Sequence, residues 1–333
     1  MLQFTRLNLR NVLRSQHTKV VRALKQLLRL LFRFPQTLAK RKINYYTLGQ
    51  KRTAMEKEQT NVDAKVVEDF GKEWETFNQQ LLKEEDLQLA FDQYFSIFPF
   101  EKINSNSEGF DMGCGSGRWA KLLAPKVGKL NCIDPSSVAL QQAKSNLKIF
   151  NNCDFECASV SDSKLKESSQ DFGYCLGVLH HIPNTIEGLE ACAKKLKSGA
   201  PFLLYLYYRF DNKPLWFKMI WAISDVVRRV VSALPFKVKL FISQLIALSI
   251  YWPLSRISFV LEKMGKNVSN IPLSDYRNKP IYFLRTDALD RFGTKLEKRF
   301  TKSEIEKKLL EVGFTNIKFS DSTPYWVAVA TKI

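Results

Sequence analysis

The chain has 333 residues, 45% of them hydrophobic, and a formal net charge of +18. This length can bury a large core and hold one or two domains, and the apolar content is ordinary for a globular protein. Residues 1–55 contain thirteen Lys or Arg and no Asp or Glu, and subtracting these from +18 leaves +5 for the other 278 residues. The body of the protein is therefore only mildly basic, and the charge belongs to one tail.

Within that tail, residues 18–34 have the apolar spacing of a basic amphipathic helix. Such a helix suits an anionic membrane surface. A transit peptide, a mis-chosen start codon, nucleic-acid contact and a disordered basic tail are alternatives that the sequence leaves open. The N-terminus lacks the pattern of a secretory signal. We also expect no membrane span, because the longest uncharged apolar stretch, residues 240–255, is shorter than the ~20 residues required.

The next segment, residues 56–105, is interpreted as a helical lead-in. Phe70, Trp74 and Phe77 recur at helical spacing. We expect this aromatic stripe to pack into the core rather than to contact a cofactor.

From residue 106 to 208 the pattern alternates between strands and helices. Strands are predicted at 109–112, 130–134, 153–159, 172–179 and 201–208, with helices at 118–124, 136–150 and 186–197. Helices of this length between strands are typical of parallel βαβ units. The sequence therefore predicts an α/β fold with a doubly wound sheet.

The chain leaves this rhythm at residues 209–300, which we interpret as a helical insertion or lid. Two to four helices are expected over 213–265, broken at Pro235 and Pro253. Residues 301–333 then complete the core: Thr301 and Glu304 form a capping-box pattern, and Gly313 is placed to end the helix. Two strands at 316–320 and 326–330 are close enough in sequence to pair antiparallel. This gives a seven-stranded sheet, parallel except for its final hairpin.

The segment 111–118 carries the strongest chemical signal. Three glycines, Gly113, Gly115 and Gly117, lie between a predicted strand and a helix. They allow a sharp turn and a close approach of the backbone to a ligand, and the free N–H groups at the helix start favour its negative end. The spacing is G-x-G-x-G, one residue short of the dinucleotide fingerprint.

The second signal is Asp134, at the end of the next predicted strand and 19 residues after Gly115. A carboxylate there can accept both hydroxyls of a ribose. The alternative is a helix-capping aspartate, which the following Pro135 and Ser136 would also suit.

These elements, with Leu176 to Pro183 after the fourth strand, resemble the class I S-adenosylmethionine methyltransferases. The similarity is greatest to the branch typified by ubiquinone and menaquinone C-methyltransferases, and it covers residues 110–208 and 301–330. The resemblance implies S-adenosylmethionine as cofactor and no metal. It assigns Asp111, Gly113, Gly115 and Gly117 to the methionine part, Asp134 to the ribose, and Leu176 to the position beside the sulfonium. The other residues expected to bind the cofactor are Cys114, Pro135, Ser159 and Val160.

This sequence departs from the family where an acid usually holds the adenine amino group. Ser159 stands at the expected place, so its hydroxyl, nearby backbone or Asp162 would take that role. His180 and His181 follow the fourth strand, where active sites of open α/β sheets lie. They are candidate catalytic bases, although loop anchoring and pocket lining are favoured over catalysis.

The expected acceptor is a small, lipid-like or lipid-linked molecule that the insertion would contact. The polar segment 285–292 could also contact it; the alternative is that the charges of this segment pair with one another. Residues 1–55 and 213–265 are the expected contacts with a membrane surface. A nucleic-acid methyltransferase, a non-catalytic membrane-bound scaffold and, more weakly, a nicotinamide oxidoreductase are the alternatives. Six cysteines without C-x-x-C spacing indicate reduced core residues in a cytoplasmic protein, peripheral to a membrane. The sequence does not predict the oligomeric state.

Overall fold

A computed structural model describes residues 61–79 and 82–333. The predicted basic helix at 18–34 and the rest of residues 1–55 lie outside this described part. The lead-in consists of α1 (Ala64–Thr76), capped by the Asp63 side chain, α2 (Glu84–Phe95) and a short 3₁₀ turn (Phe100–Lys102).

A seven-stranded sheet forms the centre of the fold, in the order β3-β2-β1-β4-β5-β7-β6. The strands are β1 (Glu108–Met112), β2 (Lys129–Ile133), β3 (Cys153–Glu156), β4 (Phe172–Leu176), β5 (Pro201–Tyr205), β6 (Phe314–Phe319) and β7 (Val327–Lys332). Strands β1 to β5 pair in parallel, and β7 runs antiparallel to both β5 and β6. The predicted doubly wound sheet with an antiparallel final hairpin is confirmed.

Helices cover both faces of this sheet and bury its apolar side chains. They are α3 (Ala120–Leu123), α4 (Ser137–Asn146), α5 (Thr185–Lys195) and α10 (Lys302–Glu311). Phe95, Leu130 and Tyr174 belong to the apolar layer on one face, and Phe110 and Phe202 to the layer on the other. The predicted capping box of Thr301 and Glu304 is present at the start of α10.

Three strands end earlier than their apolar runs predict, at Glu156, Leu176 and Tyr205. The apolar character continues beyond these ends because some of the following residues, such as Val178 and Tyr207, line a cavity and others, such as Leu206, are buried in the core. All six cysteines are free, and four of them are buried, as expected for core residues; Cys153 is half-buried and Cys157 is exposed, so the prediction is wrong for Cys157.

The insertion contains α6 (Leu215–Val231), α7 (Phe236–Ile246), α8 (Trp252–Lys263), a 3₁₀ turn (Ser274–Tyr276) and α9 (Ile281–Gly293). The predicted break at Pro253 is wrong. A π-helical turn over Ala247–Tyr251 joins α7 to α8, and Pro253 lies in the first turn of α8. The widened π-helical turn before Pro253 relieves the clash between the proline ring and the preceding turn, so the helix continues although Pro253 cannot donate a backbone hydrogen bond.

Because of this continuity, Phe236–Lys263 is one helix of 28 residues, long and apolar enough by length and composition to cross a membrane. The prediction that no segment is long enough for a membrane span is therefore wrong. Lys239 and Arg256 flank the uncharged stretch 240–255, but the helix continues past both of them. One side of this helix packs onto the rest of the protein. Lys239 is 1% exposed on that side, and its ammonium contacts Asp69 of α1 at 2.6 Å and the Gly293 carbonyl at 3.0 Å.

Candidate cofactor and acceptor site

The glycine loop connects β1 to α3 at the carboxyl edge of the sheet. Gly113, Gly115 and Gly117 have φ values of +80°, +54° and +75°, which disfavour residues with a side chain. The backbone N–H groups of Gly113 and Cys114 both donate to the Ile133 carbonyl, at 2.7 and 3.0 Å. The loop is thereby held against the end of β2.

Asp134 lies directly beside this loop. One carboxylate oxygen accepts from the Gly115 N–H at 2.9 Å, and the other accepts from the Ser136 N–H at 2.8 Å. Burial raises the pKa of Asp134 to about 6, while these two backbone donors oppose the rise. A carboxylate has about four lone-pair sites, so two remain for further donors such as ribose hydroxyls.

A cavity of about 680 Å³ begins at this corner and extends into the helical insertion. Gly113, Asp134 and Leu176 line one part of it. The remainder is lined by residues of the insertion, including Phe217, Ile220, Trp221, Ile246, Ile250 and Leu254. One space therefore joins the predicted cofactor corner to an apolar compartment.

The predicted site residues divide into two groups by their position relative to this cavity. Those that line it are Gly113, Asp134, Pro135, Ser159, Val160, Leu176 and His181. Asp111, Cys114, Gly115, Gly117 and His180 lie outside its lining. Asp111 is 1% exposed, and its Oδ2 has no hydrogen-bond partner within the described residues. Burial raises the pKa of Asp111 to about 8.

Two side chains at the glycine loop, Trp74 and Arg118, were not predicted as site residues. Trp74 packs against Gly115, where an added Cβ would lie 2.9 Å from the indole ring. The Arg118 guanidinium lies 5.5 Å from the Trp74 ring and 4.4 Å from the Trp119 ring. Both Trp74 and Arg118 line the cavity. Arg118 places a positive charge beside the loop, suited to the carboxylate of a methionine moiety.

The prediction that the aromatic stripe of α1 is core packing is therefore wrong for Phe70 and Trp74, which line the cavity, and correct for Phe77, which is buried. Apolar periodicity identifies the inner face of a helix. It does not reveal whether that face meets other side chains or an opening, because both are shielded from bulk water.

At the predicted adenine end, the Ser159 hydroxyl donates to the Asp162 carboxylate. Pro135, Cys157, Ser159 and Asp162 also line a second opening that is contiguous with the first through Pro135 and Ser159. Ser159 and Asp162, the two side chains that the sequence offered as alternatives, are thus adjacent.

The two histidines have different surroundings. His180 is fully buried, its imidazole stacks on the Tyr207 ring at 3.9 Å, and burial lowers its pKa. His181 lines the cavity, and its Nδ1 lies 2.7 Å from the Leu296 carbonyl oxygen. Only His181 of the pair reaches the cavity, and its role in catalysis stays a prediction.

Carboxyl groups from α1 and α9 complete this part of the cavity. Glu73, Asp287 and Asp290 all line it. Burial, followed by repulsion from Asp290 and Asp287, raises the pKa of Glu73, and burial also raises that of Asp290. The polar segment 285–292 therefore does not simply neutralise its own charges, because two of its carboxylates face the cavity.

The residues present fit S-adenosylmethionine. The Asp134 carboxylate, which has free lone pairs, lies beside the glycine loop, the Arg118 guanidinium flanks that loop, and Leu176 lines the same cavity. When bound, the cofactor would supply an electrophilic methyl group. The protein would contribute binding, alignment and the exclusion of water.

Known proteins similar to this chain include methyltransferases. Residues 110–204 match the model of a methyltransferase domain. The ubiquinone biosynthesis O-methyltransferase of Idiomarina loihiensis is 26% identical over 145 residues, which cover 39% of this chain and 59% of that protein. The enzyme of the same name from Thiobacillus denitrificans is 31% identical over 91 residues, covering 27% of this chain and 39% of the relative. The chain thus spans less than two thirds of the curated relatives it matches.

Among solved structures, a putative methyltransferase from Bacillus halodurans is similar with a TM-score of 0.42 and 16% identity, covering 68% of this chain and 69% of that one. Residues 110–204 thus match a methyltransferase domain in sequence and lie in a sheet of the Rossmann-like class I type, and the match and the site together imply S-adenosylmethionine as the cofactor.

Proposed function

We propose that this protein transfers the methyl group of S-adenosylmethionine to a lipid-like acceptor at a membrane surface. The observation that carries the proposal is the single cavity that joins Asp134 to the apolar helices of the insertion. An acceptor would place its reacting atom near the carboxyl ends of β4 and β5, and its apolar part among α6, α7 and α8. Apolar lining with a few converging polar groups is typical of small-molecule sites.

The charge of the cavity disfavours nucleic acid as the acceptor. Its basic side chains are Arg118, Lys213, Lys279, Arg291 and Arg299, and its acidic side chains are Asp63, Glu73, Asp134, Asp275, Asp287 and Asp290. Arg291 and Arg299 are also paired with Glu297, at 2.7 and 2.8 Å. A phosphate-binding channel requires an excess of free positive charge, and this cavity has none.

The outer surface of the insertion supports the membrane part of the proposal. Large apolar side chains on it are exposed, among them Leu215, Met219, Phe241, Leu248, Trp252, Ile257, Val260 and Met264. We call these eight residues the apolar face. Exposed basic residues, Lys237, Lys263 and Lys266, lie on the same helices or just after them, whereas the exposed Arg229 pairs with Asp225 at 2.9 Å. Apolar side chains with flanking cations match an anionic bilayer.

The relatives named ubiquinone biosynthesis O-methyltransferases support an acceptor of this kind. The basic residues 1–55 would add electrostatic attraction to the same surface. We favour docking on the bilayer over a span by the long helix, because the buried Lys239 ties that helix to α1 and α9.

The test is methyl transfer by the full-length protein. It would be incubated with methyl-labelled S-adenosylmethionine and, separately, a total lipid extract and total RNA from cells that lack the gene. Label is expected in the lipid fraction, with a mass increase of one CH₂ in the product. Label in RNA alone, or in neither, would overturn the proposal.

A further inference from the structure

The carboxylate of Asp290 is fixed at the wall of the cavity by three neighbours. The Tyr207 hydroxyl donates to Oδ2, and the Thr294 hydroxyl lies 3.4 Å from Oδ1. The side chain is 19% exposed, and the residue lines the cavity. Asp290 is therefore accessible to a molecule in the cavity while its orientation is set by protein groups.

His181 is the third neighbour and lies behind this carboxylate. Because a carbonyl oxygen only accepts, the contact of 2.7 Å with Leu296 requires the proton on Nδ1. Nε2 is buried, has no hydrogen-bond partner in the described part of the chain, and lies 3.7 Å from Asp290 Oδ1. Protonated at Nε2, the ring is an imidazolium whose positive charge lowers the pKa of Asp290.

The position of this pair matches the end of the cavity where methyl transfer would occur. Leu176 and Tyr205 are register partners at the carboxyl ends of β4 and β5. Tyr207 follows two residues after Tyr205 and holds Asp290. Asp290 thus lies close to the carboxyl end of β5, in the wall of the cavity that Leu176 and Tyr205 also line.

We propose that Asp290 is a catalytic base that accepts the proton of a hydroxyl acceptor during methyl transfer, with His181 and Tyr207 as positioning residues. This inference rests on the proposed function and extends it to the acceptor chemistry, in line with the O-methyltransferase relatives. The acceptor oxygen forms a bond to the methyl carbon, and the carbon–sulfur bond breaks with its electron pair remaining on sulfur. The hydroxyl proton moves to the Asp290 carboxylate, and the solvent receives it after product release.

The groups around Asp290 suit a base that works near neutral pH. It is faced by His181 and Tyr207 from the loops after β4 and β5, by Glu73 from α1, by Asp287 from its own helix and by Glu297 from the loop after α9. Burial raises the pKa of Asp290, whereas His181 and the Tyr207 hydroxyl act to lower it. A base whose pKa approaches the working pH is the more effective one.

The test compares Asp290→Asn with the wild-type protein, using the gene-deletion lipid extract and methyl-labelled S-adenosylmethionine. The substitution keeps the shape of the side chain and removes the base. We expect kcat to fall by about 100-fold or more, with the Kd for S-adenosylmethionine changed by less than about twofold. The acidic limb of the pH profile of kcat should disappear in Asp290→Asn. In Tyr207→Phe the limb should remain and move to higher pH, because a bond that lowers the pKa of Asp290 is lost.

Asp290→Asn with a kcat within about threefold of wild type and an unchanged pH profile would overturn the role of Asp290 while leaving the proposed function standing. If the wild type itself labels nothing, the proposed function fails and a second measurement decides. The Asp290 carboxyl carbon is titrated by NMR in ¹³C-labelled protein and assigned by its absence in Asp290→Asn. A midpoint above the ordinary value supports the base, and a midpoint at or below it overturns the inference.

Discussion

Replacing Met219 and Phe241 by glutamate tests the apolar face that we propose as the membrane-contacting surface. These side chains are 66% and 64% exposed. Burying such a side chain fully stabilises by about 1.5–3 kcal/mol, so covering about two thirds of each would contribute roughly 1–2 kcal/mol. Losing both contributions, about 2–4 kcal/mol, weakens partitioning into a bilayer by at least about 30-fold, since 1.4 kcal/mol is a factor of ten.

The assay is co-sedimentation of the full-length protein with vesicles of phosphatidylcholine containing or lacking phosphatidylglycerol. Leu310→Glu is the matched control, because Leu310 is 57% exposed on α10, away from the insertion. The double variant should bind both kinds of vesicle at least about 30-fold more weakly than the wild type, and the control should bind like the wild type. Equal binding by all three proteins would refute the reasoning. A concentration-dependent dimer that dissociates in the double variant, without vesicle binding by the wild type, would identify a second copy of the chain as the occupant.

Three further predictions concern the cofactor corner and the attachment of the insertion. Asp134→Ala should weaken binding of S-adenosylmethionine by about 1–3 kcal/mol in calorimetry. The affinity of the wild type should fall as the pH drops through about 6, because protonation of Asp134 removes an acceptor for the ribose hydroxyls. An affinity that rises on acidification would contradict this. Lys239→Ala should lower the free energy of unfolding by about 3–5 kcal/mol in denaturant titration, because it leaves the mostly buried carboxylate of Asp69 without its shortest ion pair. Lys65→Ala removes an exposed partner of the same carboxylate and should lower the free energy of unfolding by about 1 kcal/mol or less. Gly113→Ala should destabilise the fold by about 1–3 kcal/mol, because the new Cβ would lie 2.3 Å from the Val178 side chain and the backbone φ of +80° disfavours alanine. A melting temperature equal to that of the wild type would argue against a tightly packed loop.

The sequence predicted those parts of the fold that depend on local patterns. Apolar runs between helices of about ten residues located the parallel strands. The capping box of Thr301 and Glu304 located the start of the last helix. The G-x-G-x-G loop and Asp134 could be paired in advance because consecutive parallel strands end at the same edge of a sheet, and the 2.9 Å contact between Gly115 and Asp134 follows from this arrangement.

Features that depend on distant parts of the chain were not predictable in this way. Trp74 lies 41 residues before Gly115 in sequence, and nothing in its own helix indicates that it packs on the glycine loop. Asp290 meets Tyr207 across 83 residues. The continuity of the helix through Pro253 depends on a π-helical turn, for which the sequence has no established signal.

The most direct test of the central claim is isothermal titration of the full-length protein with S-adenosylmethionine, with Asp134→Ala as the comparison. We predict saturable binding at one site per chain and weaker binding by the variant. A folded wild-type protein that binds no S-adenosylmethionine, or that binds it as well after the loss of Asp134, would contradict the assignment of this corner as the cofactor site.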